Sequence, residues 1–456
     1  MAFLCLLFLL PVFAQSGLSQ AEIDSATSSY YLSMDAPLNG DLVDLPYRLL
    51  QKASIMVFGL TSYAIKLPSI MIGLWLGFLL VLLLNRWFKS NVSLLASGLV
   101  VLSTPFLFLA GSGTPLIMVV FWPTLLLWLG SKIQGEKRPK PMYSLLFAIA
   151  LLFAIFTPYM LYFAAFCVFF VFLQPHLRFI VKTLPKLPLT IVGIIILAGI
   201  VALLLNIINH PGTILELLFA DGFKLSDFFS NLFSGLAPMF LWNGSLESIF
   251  LAPLISLPTF ALALIGLFST TKGFFASRNS IASLLIVFTL VITGFNPSAV
   301  VFFILPFSIL IAHGLKYLLE KWYGLFPENP YARIAALIPL SILFATMLMP
   351  SLLQYIYGYR YNPSVANEFN YDLNVIRKNL TDETLFVSEN YDFYKILEKS
   401  TSLTVVNSFD AETSGLPTVA FLHQTTEAEN YTLNRIITSQ MRENSDIIYL
   451  YTEKGD

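Results

Sequence analysis

Residues 142–174 read MYSLLFAIALLFAIFTPYMLYFAAFCVFFVFLQ, a run without one charged side chain. A membrane span needs roughly 17–25 apolar residues. This run is too long for one helix and long enough for two short ones. Thr157-Pro158 sits near its middle, and Pro cannot continue a helical hydrogen-bond ladder. What flanks the run supports a helical hairpin over a single kinked helix. Lys132, Lys137, Arg138 and Lys140 precede it, and Arg178, Lys182 and Lys186 follow it. A hairpin puts both clusters on one side of the membrane, whereas a kinked helix separates them.

Threading the other apolar runs alternately extends the same pattern. Arg86, Lys89, Lys272, Arg278, Lys316, Lys321 and Arg333 join those seven residues on one side, making fourteen. The opposite loops of residues 1–350 hold only Arg48, Lys52, Lys66 and Lys224, with nine of the twelve acids of that region. Such a bias marks the cytosolic face. The chain is 57% hydrophobic and 12% charged, against about a quarter charged in soluble domains. The reading is an α-helical polytopic protein of the plasma (inner) membrane with its N-terminus in the cytoplasm. Eleven spans are expected near 2–14, 67–85, 92–110, 115–131, 142–156, 158–174, 187–208, 250–270, 281–295, 298–314 and 334–350. The first, Phe3–Ala14, also suits a signal-peptide core. Either reading leaves Gln15 onward outside.

Charge divides the chain in two. Residues 1–350 carry 18 basic and 12 acidic residues, and residues 351–456 carry 8 and 15. The transmembrane domain is expected over 1–350, with long external segments at 15–66 and 209–249. A small extracytoplasmic α/β domain is expected over 351–456. In that tail, Leu385–Ser388, Leu403–Val406, Thr418–Leu422 and Ile447–Tyr451 read as strands. Tyr371–Asn379, Tyr391–Lys399 and Glu427–Arg442 read as helices, and the alternation suggests a largely parallel sheet. The tail is expected to cover the outer mouth of the bundle without supplying a catalytic base. Sequons at Asn243, Asn379 and Asn430 fall on the outer side.

Motifs of soluble enzymes are missing: the sequence has no phosphate-binding Walker loop, no GxSxG and no HExxH. Cys5 and Cys167 lie in apolar runs, and the four histidines are scattered, so no metal site is expected from them. No cofactor is called for, and a divalent metal is left open. Nothing points to nucleic acid.

Ionisable groups beside the membrane are costly, and so they are functional candidates. Glu22, Asp24, Asp35, Asp41 and Asp44 crowd the first external segment. Glu22 and Asp24 lie closest to the first span, where a carboxylate can serve as general base. Ser19-Gln20-Ala21-Glu22 is equally a helix capping box. Arg48, Lys52 and Lys66 are the only cations of that segment. They suit a lipid phosphate through charge-assisted hydrogen bonds, or ordinary snorkelling onto headgroups. Leu45–Leu67 is expected to lie in the interface, with Arg48 and Lys52 on its polar side. Trp122 and Trp242 suit either sugar stacking or an interfacial belt.

The whole resembles glycosyltransferase superfamily C (GT-C), in its protein mannosyltransferase and aminoarabinose transferase branch. Val57-Phe58-Gly59-Leu60-Thr61-Ser62-Tyr63-Ala64-Ile65-Lys66-Leu67-Pro68-Ser69 is similar to that branch's entry to its second helix, with Lys66 where Arg is usual. Ser103-Thr104-Pro105-Phe106 and Gly111-Ser112-Gly113-Thr114-Pro115 resemble its third-helix end and second external loop. The likeness covers about residues 1–175. It implies an inverting transfer of sugar from a polyprenyl-phosphate donor to a glycan, lipid or protein acceptor. It places the catalytic acid at Glu22-Ile23-Asp24. The family's second-loop acid has no counterpart, and Leu116 stands in its place. The competing readings are a lipid or polysaccharide transporter or flippase, and a non-catalytic envelope-binding membrane protein. The topology is checked by reporter fusions: those after residues 140, 186 and 277 should report cytosol and one after 456 the exterior, and a cytosolic tail overturns the threading.

Overall fold

The computed structural model describes residues 17–32, 42–135, 141–183, 186–219, 224–240, 256–271, 276–325, 337–358, 373–380, 384–398, 403–409, 417–422, 430–437 and 447–453, with Phe369, Tyr331 and Ala335. The expected span 2–14, Asp35, Asp41, Trp242 and Asn243 lie outside these. The first long segment forms α1 (Gln20–Tyr30) and α2 (Leu45–Phe58). The bundle follows as α3 (Ser62–Trp87), α4 (Ser90–Val101), α5 (Thr104–Gly111), α6 (Met118–Gly135), α7 (Pro141–Ala154), α8 (Met160–Leu173), α9 (Pro175–Thr183) and α10 (Lys186–Asn209). It continues through α11 (Gly212–Phe219), α12 (Phe228–Phe240), α13 (Leu257–Thr271), α14 (Ser277–Phe295), α15 (Ile304–Leu325) and α16 (Leu337–Leu353). The C-terminal segment adds α17 (Leu373–Asn379), β1 (Thr384–Val387), α18 (Tyr391–Glu398), β2 (Thr404–Val406), β3 (Thr418–Phe421), β4 (Tyr431–Ile437) and β5 (Ile448–Glu453).

Among the described residues, six helices are long and apolar enough to cross a membrane, or seven with the bent pair α4–α5 taken as one span. Shorter apolar helices, α7, α8 and α13 among them, fill in the bundle. The outer surface is built for hydrocarbon. Only 17% of the most apolar stretch of α10 is buried, and its Ile194, Leu197, Leu204 and Ile208 point outward. Inside, α13 and α15 cross where Gly266 and Gly314 face each other's helix. A Cβ at either would overlap the carbonyl of Leu310 or Leu262. Small residues at such crossings let helix backbones touch where no hydrophobic effect drives them together.

The run 142–174 is two helices rather than one. α7 stops at Ala154, Tyr159 takes a left-handed conformation with φ 67°, and α8 begins at Met160. The break is held from outside itself: Tyr159 N–H donates to Leu217 O at 2.8 Å, and Phe156 O accepts from Asp44 N–H at 2.7 Å. The expected single span 92–110 is instead bent by 66° between α4 and α5. Pro105, in the first turn of α5, restarts the helix, and Thr104 Oγ1 ties the bend to Ser351 O at 2.7 Å.

The tail carries one five-stranded sheet in the order β2-β1-β3-β5-β4. β1 pairs in parallel with β2 and β3, but β5 runs antiparallel to both β3 and β4. The sheet is therefore mixed rather than largely parallel. Part of Glu427–Arg442, read above as a helix, is strand β4. Its Tyr431, Thr432, Ile436 and Ile437 favour strand. At the sheet edge only its two ends are buried, and this hides the strand period in the sequence. The tail also shares its core. Leu18, Ile23, Ala26, Ile55, Leu60 and Ile65 of the first segment pack in one cluster with Ile376, Phe386, Phe393 and Leu403 of the tail.

Candidate active site

The first segment is pinned to the bundle by one buried carboxylate. Glu22 is the third residue of α1 and closes a capping box: Ser19 Oγ accepts the Glu22 N–H at 3.3 Å, and Glu22 Oε2 accepts the Ser19 N–H at 3.0 Å. Its other oxygen, Oε1, accepts the Gly113 N–H at 2.7 Å and lies 3.5 Å from Lys66 Nζ. Both side chains are buried. Lys66 Nζ donates to Gly17 O at 2.8 Å and stands 5.4 Å from the centre of the Phe369 ring. The pair thus joins α1, α3, the second loop and the chain entering the tail. A carboxylate survives burial only when its lone pairs are taken up in this way.

Around it runs a buried polar network. Gln51 of α2 is fully buried. Its Nε2 donates to Gly113 O at 2.8 Å and Ile65 O at 3.1 Å. Its Oε1 accepts from Ser29 and Ser25 hydroxyls at 2.7 and 2.9 Å. Tyr47 OH and Ser69 Oγ lie 2.7 Å apart, and Ser69 Oγ also donates to Thr114 O at 3.2 Å. Burial pushes the Tyr47 phenol well above its ordinary range, so it stays neutral. Pro68 lies inside α3 and cannot donate to Ala64 O; Ser54 Oγ takes that carbonyl at 2.6 Å. Gly113 must be glycine, since a Cβ would come within 2.8 Å of Ile65 Cγ2.

Asp24 stands elsewhere. Two residues turn a helix through about 200°, so Glu22 and Asp24 face opposite ways. Asp24 is exposed and accepts from Gln20 Nε2 at 2.9 Å. Gln20 in turn exchanges amide hydrogen bonds with Asn390 of the tail at 3.1 and 3.2 Å. Asp24 therefore marks the seam between the first segment and the tail.

The cations of α2 face α1. Arg48 donates to Ser28 O at 2.9 Å, and Lys52 Nζ donates to Leu32 O. Both meet the carbonyl end of α1, where the helix dipole favours positive charge. The polar side of α2 faces the protein: Gln51, Lys52 and Ser54 are buried, while Leu50, Met56, Val57 and Phe58 are exposed. The helix covers a polar network and offers its apolar side to lipid. Trp122 is buried and donates to Thr157 Oγ1 at 3.1 Å. Among the described residues no three His, Cys, Asp or Glu groups come together as for a metal ion.

No family model and no curated protein matches this sequence. The fold does have solved counterparts. It matches ArnT of Cupriavidus metallidurans bound to undecaprenyl phosphate with a TM-score of 0.59 at 12% identity, covering 99% of this chain and 97% of that one. The apo state of ArnT gives 0.58 at 13% identity with the same coverage. The apo oligosaccharyltransferase of Archaeoglobus fulgidus gives 0.53 at 10% identity, covering 91% of this chain and 65% of the longer protein. The chain shares the fold of these solved proteins. The likeness that the sequence carries over about residues 1–175 extends, in the fold, along the whole chain.

Within this fold, the structure brings Glu22 and Lys66 together, sets Arg48 and Lys52 on the end of α1, and holds Asp24 apart. Sequence reasoning missed Gln51, Tyr47 and Gly113. The spacing of Tyr47, Gln51 and Ser54 along one face of α2 was the available signal. Removing one partner of a buried ion pair costs about 3–5 kcal/mol, while replacing both is often near neutral. Lys66→Met is therefore expected to destabilise the protein by about 3–5 kcal/mol. Glu22→Gln combined with Lys66→Met should recover at least half of that loss. Denaturant unfolding in detergent micelles measures both, and a double variant as unstable as the single one contradicts the pairing.

Proposed function

We propose that this protein transfers a sugar from a polyprenyl-phosphate donor to an envelope acceptor, at the end of the bundle that carries the tail. The observation that carries this reading is the fold match, spanning nearly the whole of both chains, to a protein whose structure holds undecaprenyl phosphate. Eleven spans with the tail outside, and inversion at the sugar, complete the proposal. The acceptor is a glycan, lipid or protein.

The roles divide by access. Both Glu22 oxygens are occupied and buried, so Glu22 acts as a positioning group that shapes the loop. Asp24 is the carboxylate with access to solvent, at the seam where an acceptor hydroxyl enters. It is the proposed general base. A departing phosphate gains negative charge and needs fixed cations. Arg48 is half-buried while Lys52 and Lys66 are buried, so Arg48 is the proposed phosphate partner. Lys52 and Lys66 hold the frame around it.

One observation favours a second reading, the non-catalytic envelope-binding protein. The second loop offers no acid. Its Gly113 N–H is instead spent on Glu22, which leaves one exposed carboxylate on α1 near this seam. The two readings separate on purified protein given an authentic polyprenyl-phosphate sugar. Loss of a general base lowers rate about 10²–10⁴-fold. Asp24→Asn should lose that much turnover and keep donor binding, and Arg48→Ala should weaken donor binding. Full turnover in Asp24→Asn removes the proposed base. No transfer by the wild-type protein favours the second reading.

A further inference from the structure

At the end of α3 opposite Lys66, residues of α3, α6, α7, α8, α9, α10 and α14 line a cavity of about 300 Å³. This lies at the lower edge of the range of small-ligand sites, about 300–1,000 Å³. Leu126, Phe147, Phe166, Phe170 and Val181 supply much of its wall. Gly130 lies in that wall, and a Cβ added there would meet nothing within 4 Å. The helix therefore leaves side-chain space unfilled there. Neighbouring Phe169 and Phe172 are exposed at 55% and 68%, so the surroundings of the cavity are hydrocarbon.

The rim is basic. Lys132 lies between two lining residues, Ser131 and Ile133, with its Nζ 5.9 Å from the ring centres of Trp128 and Tyr143. Arg86 donates to Ser131 O at 3.2 Å. Arg178 and Lys182 are exposed on α9, each next to a lining residue, Leu177 and Val181. Among the described residues at this end the only acid is Glu320, which lies 3.8 Å from Lys316. Apolar walls open to lipid under a ring of cations fit an anionic amphiphile and disfavour a neutral or water-borne ligand.

We propose that this cavity holds one chain of an anionic phospholipid from the leaflet at the basic end, with its phosphate on Lys132 and Lys182. The inference does not depend on the transferase reading, because the donor phosphate of that reading belongs at the opposite end.

The test is native mass spectrometry of the full-length protein in detergent, titrated with phosphatidylglycerol or phosphatidylcholine of identical chains. One phosphatidylglycerol should be retained in preference to phosphatidylcholine. Gly130→Leu, which fills the cavity, should lose the bound lipid while keeping the wild-type circular dichroism spectrum. Lys132→Gln with Lys182→Gln leaves the cavity intact and alters only the rim. At about fivefold per cation near the headgroup, it should weaken phosphatidylglycerol by about twenty-five-fold and leave phosphatidylcholine unchanged. Three results overturn the proposal: equal retention of the two lipids by the wild type, undiminished lipid on Gly130→Leu, or displacement of phosphatidylglycerol from the cavity by polyprenyl phosphate.

Discussion

Everything at the tail end of this molecule depends on one carboxylate with no access to water. Glu22 caps its own helix with one oxygen and reaches across to Gly113 and Lys66 with the other. Burying an ion is expensive unless its partners are supplied. Here they come from three separate parts of the chain: the first segment at Ser19 and, through Lys66, at the carbonyl of Gly17, the loop at Gly113 and the helix at Lys66. Each of these must be in place for the others to be satisfied. A shallow segment between membrane and water is thereby given a single conformation, with Asp24 and Arg48 mounted on it.

The membrane imposes the complementary constraint. Backbone groups freed inside an apolar bundle must find partners within the protein. Pro68 frees Ala64 O, and Ser54 takes it. The break at Thr157-Pro158 exposes Phe156 O and Tyr159 N–H, and groups at Asp44 and Leu217 meet them. The same demand orients α2. Its polar residues face inward, because unsatisfied carbonyls of α1, α3 and the second loop lie beneath it. Its apolar residues face the lipid. The tail completes the assembly by packing its own apolar side on α1 and α2, so the first segment is held from below by polar contacts and from above by hydrophobic ones.

The large-scale plan was legible in sequence wherever charge or strict periodicity wrote it. The break inside 142–174 followed from Thr157-Pro158. Four of the five strands followed from their short β-rich runs. The fifth, β4, was not legible, because an edge strand buries too little to show its period. The site was legible in part. Glu22 and Lys66 stood out as ionisable groups beside the membrane, and their meeting is a tertiary fact that no spacing could show. The direction of the Lys52 and Arg48 side chains likewise depends on where α1 ends in space. Glu22 and Asp24 could be separated only once the helix between them was fixed.

The central claim, that the Glu22 carboxylate locks the second loop against the first segment, is tested most directly by hydrogen–deuterium exchange. Protection of an amide reports the opening of the structure that holds it. Comparison of the wild type with Glu22→Ala should show faster exchange across residues 111–115 together with 19–30 and 45–54, because all three lose one shared partner. If 111–115 keeps its wild-type protection while only 19–30 loosens, the carboxylate does no more than cap its own helix, and the account fails.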